Sequence, residues 1–211
     1  DELIFGNVLT AGLGHNPARQ IGLGTGTPDS VPAFTINKVC GSGLKAIELG
    51  WQAVALGRAD IVLAGGAENM TRAPYLLPAM RGGARLGDAK AVDSAVYDGL
   101  WEVFNDYHMG ITAENLAEKY GISREEQDTM ALKRYEQYTM ALADDRAFQK
   151  RFMVPAELKK GKKVIGTVET DEGVFATTPE GLAKLRPVLP EGTVTFGSQT
   201  FPADGNAGLI I

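Results

Sequence analysis

Over its first 69 residues the chain alternates short apolar runs with amphipathic stretches. Glu2–Val8, Ala33–Val39 and Asp60–Ala64 are short and rich in β-branched and aromatic residues, which predicts strands. Pro32 stands at the start of the second run, where a missing N–H donor is tolerated. Between the runs the spacing predicts a helix near Asn16–Thr25 and another after Cys40. In the latter, Leu44, Ile47, Trp51 and Val54 recur at helical steps and trace one face. Strands separated by helices imply a mostly parallel sheet and an α/β fold.

Beyond Met70 the pattern loosens into glycine, proline and charge, then turns helical over Thr112–Tyr120 and Arg124–Arg146. Ser123 and Glu126 stand at capping-box spacing and mark a helix start. Met130, Tyr135, Tyr138 and Leu142 would share an inward face, as ordinary core packing. Residues 150–184 are polar with short β-prone runs, Lys163–Val168 among them, and Gly192–Phe196 and Leu209–Ile211 read as strands returning to a sheet. The chain is thus a core domain carrying a long inserted excursion, without repeats or low-complexity tracts.

Composition narrows the function classes. With 211 residues, 44% hydrophobic and 22% charged, the chain can bury a sizeable core. A net charge of −5 argues against a nucleic-acid binder, and no apolar stretch reaches membrane-spanning length. The basic run Lys159-Lys160-Gly161-Lys162-Lys163 is read as a solvated loop rather than a phosphate site. No Cys/His cluster has metal-ligand spacing, and Gly22–Gly26 lacks the strand-before, helix-after setting of a dinucleotide loop. No metal and no cofactor are expected.

The single cysteine carries the candidate chemistry. Cys40 opens a Cys40-Gly41-Ser42-Gly43 turn between the second strand and the following helix. Such a junction exposes the side chain, and the helix's unpaired amides and positive dipole end favour a thiolate and can donate to an oxyanion. A lone cysteine is otherwise often a small buried hydrophobe; the flanking glycines and the strand–turn–helix setting favour the nucleophile.

Asn37-Lys38-Val39-Cys40-Gly41-Ser42-Gly43-Leu44-Lys45-Ala46, followed by Ala64-Gly65-Gly66-Ala67-Glu68-Asn69-Met70, resembles the thiolase family of acetyl-CoA C-acyltransferases. The resemblance continues through His108-Met109-Gly110-Ile111-Thr112-Ala113-Glu114-Asn115, Arg124–Asp128, Lys184-Leu185-Arg186-Pro187 and Gly192–Thr195, and so covers essentially the whole chain. It implies a thiolase-like α/β fold, with residues 1–69 and 190–211 in the N-terminal domain and 70–189 in a loop domain of α+β character inserted into it. Met80–Asp88 resembles the loop through which many members form tetramers, so a homodimer or homotetramer is implied for the full-length protein. The expected location is cytoplasmic.

The chemistry implied by the resemblance is reversible Claisen condensation of acyl-CoA thioesters through an acyl-thioester on Cys40. Leu100, His108, Met109, Arg186 and Thr200 match family positions that contact coenzyme A; His15 has no such match and is taken as structural. The family's Gly-His-Pro histidine and second cysteine are not in this sequence, whose two histidines are His15 and His108. The chain is therefore expected to be an internal fragment, inactive or nearly so alone. The main alternative is a non-catalytic thiolase-fold module that binds acyl-CoA or serves assembly; a ketoacyl synthase or hydroxymethylglutaryl-CoA synthase is a closer rival, disfavoured by the Asn37–Gly43 and His108–Asn115 motifs. One departure stands out: Phe196 replaces a usually small residue, and Gly197–Ala207 diverges while keeping Asp204-Gly205. A ring at Phe196 bears on which acyl chain is accepted.

Overall fold

A computed structural model describes residues 1–211. In chain order the elements are β1 (Glu2–Gly6), α1 (Pro17–Gly24), β2 (Ala33–Ile36), α2 (Ser42–Ala55), β3 (Val62–Asn69), β4 (Tyr75–Leu76), β5 (Val92–Asp93), α3 (Ser94–Tyr97), β6 (Trp101–Glu102) and β7 (Tyr107–His108). They continue with α4 (Met109–Tyr120), α5 (Arg124–Ala141), α6 (Ala143–Arg146), β8 (Ala156–Lys160), β9 (Lys163–Val168), α7 (Pro179–Ala183) and β10 (Asp204–Ile210). By compactness the chain separates into one unit of Asp1–Met109 with Phe201–Ile211 and another of Gly110–Thr200. Within the first unit, Ser94 donates its hydroxyl to Pro74 O at 2.6 Å and β4 pairs with β5.

The first unit is built on a four-stranded sheet in the order β10-β3-β1-β2. β1 runs parallel to both β2 and β3, and β10 closes the other edge antiparallel to β3. Burial on both faces of β1 explains its unbroken apolar run. Leu3 and Phe5 pack with Ala18 of α1, while Ile4 packs with Ala46 of α2 and with Val62 and Ala64 of β3. The two helices thus cover opposite faces: the chain steps from β1 out to β2 through α1 and returns past β1 to β3 through α2.

In the second unit, α5 opens on the expected capping box, with Ser123 Oγ accepting from Glu126 N at 3.1 Å and Glu126 Oε2 accepting from Ser123 N at 2.8 Å. Arg124 donates Nη2 to Leu182 O at 2.6 Å and Nε to Asp128 at 2.7 Å, joining α5 to the end of α7. No α5 residue is fully buried; Tyr135 and Tyr138 are half-buried and Met130 is exposed, so the expected inward face is only partly realised.

Three further element expectations are corrected. The helix expected over Arg124–Arg146 ends at Ala141, and Asp144, Asp145 and Arg146 adopt φ of 52°, 55° and 61°. Arg146 there donates to Gln149 Oε1 and Glu169 O. Gly192–Phe196 is no strand: its ladder contact is a single bridge between Thr195 and Pro187. Thr195 N donates to Ser198 Oγ at 3.1 Å and Thr195 Oγ1 accepts from Gly197 N at 3.2 Å, local bonds that compete with pairing. Finally, β3 runs on through Gly65 and Gly66 to Asn69, where the sequence suggests an end at Ala64.

Candidate active site

β1, β2 and the glycine pair of β3 end at one level, because Gly6 lies opposite both Ile36 and Gly66. From that level the residue 37–41 turn rises to the head of α2. In open α/β sheets the ligand crevice lies outside the carboxyl ends of the strands where the connections reverse. Beside it, over the ends of β1 and β2, lies an open depression of about 310 Å³ lined by Asn7, Thr10, Asn16, Thr35, Ile36 and Asn37 among others. Cys40 is exposed in the turn that follows Asn37.

The turn is fully determined by its own bonds. Gly41 N donates to Lys38 O at 3.1 Å, Ser42 N to Val39 O at 3.1 Å, and Lys45 N to Gly41 O at 2.9 Å as α2 begins. Gly41 occupies the N-cap and brings no side-chain oxygen to the first turn. The helix head comes close to the sheet: a Cβ on Gly6 would lie 2.5 Å from Ser42 Cβ and 2.8 Å from Gly43 N, and one on Gly66 would lie 3.4 Å from Gly43 Cα. Bare backbone at Gly6 and Gly66 is therefore what lets the Cys40 turn rest on the strand ends.

Glu68, at the end of β3, gathers the loop after β1. Its carboxylate accepts from Asn7 Nδ2 at 2.9 Å, Val8 N at 2.9 Å and Leu9 N at 3.1 Å. On β10, Asp204 accepts from Thr71 N at 3.0 Å, and this backbone bond holds its carboxyl below the usual range. The Asp204-Gly205 pair noted in the sequence thus starts the edge strand.

The remaining sequence-predicted residues fall in two groups. In the first unit, His108 pairs with Trp101 across β6–β7, and Met109 N donates to Leu100 O at 2.9 Å, so Leu100, His108 and Met109 share one hairpin. His108 and Met109 are exposed and Leu100 is half-buried. In the second unit, Arg186 and Thr200 are exposed. Arg186 precedes Pro187 in a segment closed by the Pro187–Thr195 bridge and by Val188 N donating to Val194 O at 2.9 Å. Phe196, just beyond, is 76% exposed.

Sequence reasoning missed the groups that hold these segments. Glu114 of α4 accepts from Thr193 N at 2.9 Å, Val194 N at 2.8 Å and Thr193 Oγ1 at 3.1 Å. Burial alone would raise its carboxyl pKa; the Thr193 and Val194 donors outweigh that and hold it below the usual range. Ser42, which the sequence marks only as part of the turn motif, is 4% exposed. The family resemblance of His108–Asn115 and of the Cys40 turn was the available signal, but nothing in the local sequence says which of those residues bond to distant backbone.

The family model described as "Thiolase, N-terminal domain" matches residues 1–211. An acetyl-CoA acetyltransferase of Pseudomonas aeruginosa is 50% identical over all of this chain and 54% of its own length. A probable acetyl-CoA acetyltransferase of Escherichia coli is 49% identical over 53% of its length. Among solved structures, an acetyl-CoA acetyltransferase from Syntrophomonas wolfei superposes with a TM-score of 0.90 at 36% identity, covering 100% of this chain and 52% of that one. Acat5 thiolase from Ascaris suum, solved in complex with coenzyme A, superposes with a TM-score of 0.87 at 35% identity, covering 99% and 53%. The chain spans about half the length of these relatives. It belongs to the thiolase family.

Proposed function

We propose that this chain provides the nucleophile of an acyl-CoA acyltransferase, with Cys40 as the catalytic residue. The observation that carries the reading is the exposed cysteine at the head of α2, outside the carboxyl ends of the parallel strands. The Cys40 thiolate attacks the carbonyl carbon of an acyl-CoA thioester, giving a tetrahedral oxyanion. Backbone N–H groups at the helix head suit that developing charge. The C–S bond to coenzyme A then breaks, the leaving thiolate takes up a proton, and the acyl group remains on Cys40 as a thioester. Exchange of one thioester for another is nearly balanced, so the step is reversible. In the condensation direction a second acyl-CoA, deprotonated at its α-carbon, attacks the acyl-cysteine and regenerates the thiolate.

Leu100, His108 and Met109 on the β6–β7 hairpin, and Arg186 and Thr200 in the second unit, are proposed to contact coenzyme A. A guanidinium suits phosphate, and a threonine hydroxyl both donates and accepts. The Ascaris suum relative holds coenzyme A, which supports the ligand class. Condensation also needs a base at the α-carbon, and with one cysteine and no Gly-His-Pro histidine the 211-residue chain alone is proposed to stop at or before the acyl-cysteine. The full-length protein is proposed to act as a homodimer or homotetramer in cytoplasmic fatty acid metabolism. No helix is long and apolar enough to cross a membrane.

The test is intact mass after incubation with acetyl-CoA, comparing the chain with Cys40→Ser. An acetyl adduct on the wild type alone is the expected result. A folded wild type without adduct, which also remains unable to cleave acetoacetyl-CoA when joined to a relative's C-terminal half, would favour the non-catalytic module.

A further inference from the structure

Val39, directly before the nucleophile, has φ of 50°. This left-handed conformation is one that β-branched residues avoid. Its side chain is 47% exposed, so packing does little to offset the strain. Hydrogen bonds do. Val39 N donates to Asn37 Oδ1 at 2.9 Å, and Val39 O accepts both from Ser42 N at 3.1 Å and from Ser42 Oγ at 2.6 Å. Ser42 Oγ in turn accepts from Lys38 N at 2.8 Å. Ser42 is 4% exposed and its Cβ lies against Gly6, and its hydroxyl uses its donor and an acceptor function inside the turn.

The Val39 carbonyl and the Cys40 N–H belong to one planar peptide. A group that fixes the carbonyl therefore fixes the plane from which the Cys40 side chain and amide depart. We propose that Ser42 is a positioning residue for Cys40: its buried hydroxyl locks the Val39–Cys40 peptide and sustains the left-handed Val39, so that the thiol is held at the head of α2. The proposal rests on the reading of Cys40 as nucleophile, and Ser42 acts through the backbone without touching substrate. Asn37 cannot replace it, because Asn37 holds the other side of Val39, the N–H.

If strain at Val39 is what the hydroxyl opposes, glycine at position 39 removes the need for it, since glycine adopts positive φ freely. The experiment is alkylation of the single cysteine by iodoacetamide, followed by intact mass, on wild type, Ser42→Ala, Val39→Gly and the double variant, each checked for fold by circular dichroism. In Ser42→Ala the rate is expected to move on the order of tenfold toward that of the urea-unfolded chain, the size of one lost buried hydrogen bond. The double variant is expected to return to within about threefold of Val39→Gly, a coupling that loss of buried volume would not produce. Wild-type alkylation in Ser42→Ala, or a double variant carrying the full Ser42→Ala loss, overturns the proposal. Should Ser42→Ala fail to fold, Val39→Gly decides: relief of strain raises the Tm, and an unchanged or lower Tm overturns it. Acetyl-CoA labelling run in parallel separates the two readings. Coupling between positions 39 and 42 without any acetyl adduct removes the catalytic role of Cys40 but keeps Ser42 as the group that positions its thiol; an adduct without coupling does the reverse.

Discussion

Replacing Glu114 by alanine removes the only side chain that bonds both Thr193 N and Val194 N, and the magnitude follows from what those groups lose. Val194 is 5% exposed and Thr193 half-buried, so the first N–H is left dry and the second partly rehydrated. A buried donor without an acceptor costs about 1–3 kcal/mol. Two such donors, discounted for water at Thr193, amount to roughly 2–4 kcal/mol. The loss is local, because α4 is tied at this point to the segment that follows Arg186 and Pro187. Gly192 reports the same closeness: a Cβ there would collide with the Glu114 carboxylate. The assay is amide hydrogen exchange on the 187–196 peptides, since both tryptophans, Trp51 and Trp101, lie in the other unit and fluorescence would miss the change. At about 1.4 kcal/mol per tenfold, protection should fall by about 30-fold to about a thousandfold. Glu114→Gln keeps an acceptor oxygen and should lose much less. Unchanged protection in Glu114→Ala would refute the claim that this carboxylate organises the loop.

Acid should act on the same contact: the Glu114 pKa is depressed on folding, so its stabilisation is complete above the ordinary glutamate pKa of about 4.3 and is lost as pH falls through the lower folded value. A wild-type exchange profile of the 187–196 peptides that loosens in that window, and a Glu114→Gln profile that does not, is the expected outcome. Arg124→Ala should release the end of α7 and cost about 1.5–3 kcal/mol, the range for bonds to a charged donor, read as a lower urea midpoint by circular dichroism. On α2, Leu44→Gln should change stability by less than about 0.5 kcal/mol, whereas Ala46→Leu should cost about 1–3 kcal/mol through overpacking. Thermal melts of the two variants check the order, and a reversed order would mean that the sheet-facing side of α2 has been misassigned.

That last pair shows where the sequence misleads. Leu44, Ile47, Trp51 and Val54 trace an apolar stripe, yet Leu44 is 76% and Trp51 62% exposed, and the fully buried positions of α2 are Ser42, Ala46 and Gly50. Hydrophobic periodicity reports the gain from removing large side chains from water, and it carries no information about how closely two backbones must approach. At Gly50 an added Cβ would lie 2.8 Å from Ile211 Cδ1 and 3.0 Å from Val62 Cγ1, so the helix meets the sheet where its side chains are smallest.

The same reasoning accounts for both the legible and the illegible parts of the site. The Cys40 junction could be read because its determinants are local: an apolar strand, a glycine-flanked turn and the start of a helix. β3 runs on through Gly65 and Gly66, residues that in sequence resemble strand breakers, because Gly66 faces Gly43 and Gly65 faces the backbone of Ala207 and Gly208 on β10. Gly192–Phe196 reads as a strand in sequence, but side-chain hydroxyls at Thr195 and Ser198 claim the backbone groups a ladder would need. Glycines and hydroxyls are ambiguous in one dimension, since each is favoured in loops and also serves wherever chains touch or backbone groups need a partner. In this chain they serve the second purpose around the nucleophile: Gly6 and Gly66 admit the turn, Ser42 binds it, and the exposed thiol of Cys40 is the outcome of contacts made by residues that carry almost no hydrophobic signal.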